Sequence, residues 1–106
     1  WDEDYFFYGE DIDFCYRIKK MGLKIFFVPE YKAIHHKGLS SGIKKVSAEA
    51  SKATLDTKIW ATNHRFKAME IFYNKHYKKK YPWIITKAVL LAIKLKHAMT
   101  LKNLQK

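Results

Sequence analysis

The sequence predicts an α/β chain: a helix, then one or two short strands, then two C-terminal helices. Three observations carry that expectation. Apolar residues keep a helical period over residues 10–21 and stop at Gly22. The run LKIFFV at residues 23–28 is rich in β-formers and closes on Pro29, which cannot donate to a ladder. Beyond residue 54, apolar residues recur every three or four positions, with a break at Tyr81 and Pro82.

Taken in order, the first helix carries Glu10, Asp11 and Asp13 in its opening turns, and Gly22 supplies the stop. The first strand is residues 23–28, and a second short extended piece is expected over residues 31–36. Residues 37–45, KGLSSGIKK, form a loop by composition and mark the hinge between two regions, 1–42 and 43–106. In the second region Leu55, Ile59, Thr62, Phe66, Met69, Tyr73 and Tyr77 make one stripe along a helix. The last helix runs from about Trp83 to Leu101. It is too interrupted to span a bilayer, because Lys87 and Lys94 bracket six residues where about 20 apolar ones are needed.

Composition separates the same two regions. An apolar fraction of 48% and an aromatic fraction of 16% exclude a disordered chain. The net charge of +11 is concentrated beyond the hinge: residues 1–42 hold six Lys/Arg against seven Asp/Glu, and residues 43–106 hold fifteen against three. A field of that sign attracts anionic lipid, nucleic acid or polyphosphate. Lys78, Lys79 and Lys80 precede Tyr81 and Trp83, a pairing of cations with amphipathic aromatics that suits an anionic membrane surface. The lone Cys15 cannot close an internal disulfide and is expected as a small core residue. A reducing, cytoplasmic setting is expected, with peripheral contact at the inner membrane face. The chain opens on Trp1 without a signal peptide, and so reads as a piece of something longer.

The stretch YGEDIDFCYR, residues 8–17, sets three carboxylates where a helix begins. At about 100° per residue, Asp13 and Arg17 fall together as an i, i+4 pair on a polar arc, a structural arrangement. Asp11 shares its side with Cys15 and Ile18, and so projects toward the core or a cleft. One reading makes Glu10 and Asp11 helix-capping charges. The other makes an oriented carboxylate at a cleft a general base, able to take a proton from an incoming hydroxyl. Spacing leaves both open.

The order of these residues resembles a known family. Residues 1–41 combine an aromatic-acidic segment ending in Glu10, Asp11 and Asp13, a Cys15-x-Arg17 helix closing at Gly22, a strand ending in Val28 and Pro29, and His35, His36 and a following serine. In that order they look like the C-terminal end of the catalytic domain of family 2 inverting glycosyltransferases, particularly bacterial rhamnosyltransferase-like members. A weaker likeness continues through Arg65, Phe72, Lys75, His76 and Tyr77.

The resemblance implies the last part of a GT-A nucleotide-sugar-binding domain, with Asp11 as catalytic base and Glu10 orienting it. It implies inverting transfer from a nucleotide-sugar donor to a glycan or lipid-linked acceptor in cell-surface polysaccharide synthesis. It also implies Mg²⁺ or Mn²⁺, with His36 in preference to His35 completing the metal shell. The family's Asp-x-Asp metal motif and nucleotide pocket would lie upstream, so the chain alone is expected to be inactive. Ser40 and Ser41 fall where relatives place a segment near the acceptor. Against this enzyme stands a binding module, in which the basic helices engage an anionic membrane or nucleic acid. The order of residues 5–41 favours the enzyme, with no nucleic acid expected, and the stripe over residues 55–77 also allows a homo-oligomer.

Overall fold

The computed structural model describes residues 1–32, 34 and 53–105. Among the described residues three helices form: α1 (Glu10–Lys20), α2 (Leu55–His76) and α3 (Trp83–Leu104). Among the described residues there is no strand, so the α/β architecture and the GT-A domain expected from the sequence are corrected to a helical arrangement. Residues 23–28 run irregularly and outward, with Phe27 89% exposed. The physical reason is pairing: β-propensity yields a strand only where a neighbouring strand accepts its ladder, and none of the described residues supplies one. The described part of the second extended piece, Tyr31, Lys32 and Ile34, has no regular structure either. His35, His36, Ser40 and Ser41 lie outside the described residues, as does the expected loop at residues 37–45.

Local chemistry explains the ends of each helix. Gly9 precedes α1 at φ +89°, a conformation that costs most other residues energy, and its carbonyl accepts the Asp13 N–H at 2.9 Å. At the other end Gly22, at φ +78°, donates to the Lys19 carbonyl at 3.1 Å, and Leu23 donates to Ile18 at 3.2 Å. That is the paired closure of a Schellman motif, and it satisfies carbonyls the helix would otherwise orphan. The Thr54 hydroxyl caps α2 by accepting from the Thr57 N–H at 3.2 Å. Tyr81 and Pro82 then break the chain as read from the sequence, and the Pro82 carbonyl accepts the Thr86 N–H at 3.1 Å to start α3.

Helices α2 and α3 pack antiparallel, since Tyr73 reaches Thr86 near their junction while Asn63 and Phe66 both meet His97 further along. Phe66 and His97 stack with ring centres 4.7 Å apart. The stripe expected on α2 is buried only in its middle: Thr62 and Phe66 lie within, whereas Leu55 and Met69 are exposed. A second face of α2 accounts for the difference. Trp60, His64, Ala68, Phe72 and His76, spaced four apart, receive residues 1–20: Phe7 on Trp60 at 4.7 Å, Tyr16 on Phe72 at 5.4 Å and on His76 at 4.3 Å. Helix α2 is therefore the shared wall of two contacts. Cys15, expected in the core, is exposed.

At the N-cap of α1, Gly9 sits close against α2. A Cβ placed there would sit 3.2 Å from the Ala68 Cβ and 3.2 Å from the Tyr5 ring. Gly9→Ala therefore meets both a left-handed backbone and a crowded wall. It is expected to lower stability by about 1–3 kcal/mol in chemical denaturation. The same change at Gly22, where no atom lies within 4 Å, meets only the backbone penalty and should cost less.

Candidate active site

The opening acidic segment separates into two carboxylate environments. Asp13 is fully buried, and three donors converge on it: the Tyr5 hydroxyl at 3.1 Å and His76 Nε2 at 2.6 Å on Oδ1, and Arg17 Nε at 2.7 Å on Oδ2. An ionised carboxylate only accepts, so His76 carries its proton on Nε2 and donates. The Arg17 pair is the i, i+4 contact expected from the sequence, with its Asp13 end buried and its Arg17 end half-exposed. Burial alone would raise the Asp13 pKa, but hydrogen bonds from His76, Arg17 and Tyr5 outweigh it and hold the carboxyl below its usual 3.8. Burial, and then the charge of Asp13, pushes the Tyr5 phenol well above its usual 10.

These directions fix a pH response. A depressed carboxyl contributes stability that is fully present above its unfolded value and lost as pH falls through the folded one. The Asp13 contribution should therefore hold at neutral pH and disappear below about pH 4. A raised phenol contributes below its unfolded value and is lost on the alkaline side, above about pH 10. Thermal unfolding across pH should show both shoulders, and Tyr5→Phe should remove the alkaline one.

Asp11 sits outside this cluster. Of the two places expected for it, core or cleft, the core side is taken by Asp13, and Asp11 is exposed at a cleft of about 380 Å³ between the start of α1 and α2. Tyr8, Met69, Phe72 and Arg65 line that cleft. One Asp11 oxygen accepts the Ile12 N–H at 2.8 Å, which fixes the carboxylate in the first turn, where the helix dipole favours negative charge. Glu10 lies beside it with Oε2 buried and without a hydrogen-bond partner, and the Arg65 Nε of the cleft wall is likewise unpaired. A hydroxyl-bearing molecule in this cleft would meet an anchored carboxylate, a guanidinium and aromatic surface.

Two more acids, Asp2 and Asp4, are paired. Lys75 bridges Asp2 and Asp4, the latter at 2.6 Å, tying the first residues to the end of α2. The Lys75 contact lowers the Asp2 pKa. Among the described residues no group of three His, Cys, Asp or Glu side chains could hold a metal ion; His35 and His36, the expected ligands, lie outside them. Of the basic cluster, Lys78 and Lys79 are exposed, while Lys80 donates to the Tyr16 hydroxyl at 2.7 Å and so serves the fold. Trp83 is exposed, with the Lys87 ammonium 4.9 Å from its ring centre. Sequence reasoning gave Tyr5 no part and named His76 and Arg65 only within the weaker family likeness, without a place at the site. The i+4 spacing of Trp60, His64, Ala68, Phe72 and His76 was the signal that could have placed His76.

No protein-family model matches the chain, and no solved structure does. A short stretch is similar to a sugar transferase. It is 46% identical over 35 residues to the rhamnosyltransferase WbbL of Escherichia coli (strain K12), which covers 33% of this chain and 13% of that relative. The likeness points to a glycosyltransferase, and no helix among the described residues is long and apolar enough to cross a membrane.

Proposed function

We propose that this chain contributes the acceptor-activating part of a glycosyltransferase, with Asp11 as the base and the α1/α2 cleft as the acceptor site. One observation carries the reading: an anchored, exposed carboxylate stands at the rim of a cleft in a chain that shares a stretch with a rhamnosyltransferase. Asp11 takes the proton of the acceptor hydroxyl as that oxygen bonds to the anomeric carbon of the donor sugar. The bond from that carbon to the nucleoside diphosphate breaks, and the configuration inverts. A positioned base of this kind contributes about 10²–10⁴-fold. Glu10 orients the base, and Arg65 offers donors to acceptor hydroxyls from the opposite wall.

The proposal is tested on a protein that carries this sequence together with a donor-binding domain, supplied with nucleotide sugars and a glycan or lipid-linked acceptor. The product linkage is expected to be inverted relative to the donor by NMR. A retained linkage would contradict the single displacement through Asp11. Met69→Trp, which fills the cleft without touching either acid, is expected to raise the acceptor KM while leaving donor affinity unchanged.

A further inference from the structure

Helix α3 is apolar on two sides, and only one of them is used. Thr86, Ile93 and His97 turn toward α2. On the opposite side Ile84, Leu91, Leu95 and Met99, at spacings that keep one face, are each 57–67% exposed. On a helical wheel at about 100° per residue, Lys87 and Lys94 border this stripe on one flank and Lys96 on the other. Tyr81 and the exposed Trp83 stand at its N-terminal end. Residues 78–106 contain eight lysines and no Asp or Glu.

We propose that the outward face of α3 docks in the plane of an anionic lipid surface, independently of the transferase reading. Its four large apolar side chains enter the headgroup boundary, and its flanking lysines meet lipid phosphates. An apolar stripe between lysine rows, with aromatics at one end, suits a headgroup boundary, the other apolar side of α3 being spent on α2. The charge selects the occupant. A second copy of the chain would set lysine rows against lysine rows with no acid on α3 to answer them, whereas an anionic bilayer supplies both the apolar layer and the countercharge. Lys80, committed to Tyr16, takes no part.

Vesicle flotation of the full 106-residue chain tests this, with phosphatidylcholine vesicles, with and without phosphatidylglycerol, at low and high salt. Wild type is expected on the phosphatidylglycerol vesicles only. Leu91→Ser with Leu95→Ser, and separately Lys87→Glu with Lys94→Glu, should each weaken partitioning by about tenfold or more, with helicity by circular dichroism unchanged. Lys19→Glu with Lys20→Glu, an equal charge change on α1, should weaken it less than the α3 lysine pair. No binding by the folded chain would overturn the proposal. So would indifference to the leucine pair, which marks diffuse attraction to net charge, or equal loss from the two lysine pairs. A dimer that the leucine change dissociates, without effect on vesicles, assigns the face to a second copy and also overturns it. If the leucine variant loses helicity, the comparison of the two lysine pairs decides.

Discussion

Asp13→Ala is expected to cost about 3–5 kcal/mol, the scale of breaking a buried charge cluster by removing one partner. Against a total stability of about 5–15 kcal/mol for a domain, such a loss takes the chain close to unfolding at moderate temperature. The magnitude follows from what is left behind. Tyr5 is 6% exposed and the His76 side chain 9%, so neither donor can turn to water in place, while the half-exposed Arg17 can. Donors stranded without an acceptor lose their hydrogen bonds and keep their desolvation. The partner variants should rank accordingly. His76→Phe retains a ring against Tyr16 and Phe72 and leaves Asp13 two donors, so it should cost about 1–2 kcal/mol. Denaturant midpoints of the three proteins, with m-values compared for two-state behaviour, check the order.

This cluster also shows where reading the sequence stops. The i, i+4 relation of Asp13 and Arg17 was legible, because it depends only on helical geometry. That Asp13 would be buried was not, because its burial comes with Tyr5 and with His76, 63 positions away in the chain. The ends of the helices were legible for a related reason: Gly22, Pro82 and the Tyr81 before it act through their own backbone restrictions. Residues 23–28 failed for the opposite reason. Their composition favours a strand, but a strand is a property of two segments, and no described segment pairs with them.

Helix α2 was half legible. Its stripe of Thr62, Phe66 and Tyr73 announced a contact, and α3 meets it. Its second face mixes Trp60, His64, Ala68, Phe72 and His76, and two histidines among aromatics do not register as an apolar surface. Asp11 was singled out for the side of the helix it occupies, and helical geometry left core and cleft both open. It stands at a cleft because Gly9 lets α1 approach Ala68 closely, a contact no periodicity reveals.

The account rests on Asp11 acting on the acceptor while Asp13 holds the helix that carries it. Asp11→Asn keeps the size of the side chain and an oxygen for the Ile12 N–H, and an exposed substitution of this kind should change stability by no more than about 0.5 kcal/mol. The most direct test is the transfer rate at saturating donor, for wild type and Asp11→Asn, in a protein carrying this sequence with a donor-binding domain. A fall of about 10²–10⁴-fold is expected, with donor affinity and unfolding midpoint unchanged. A rate within about twofold of wild type would contradict it and leave Asp11 as a helix-capping charge.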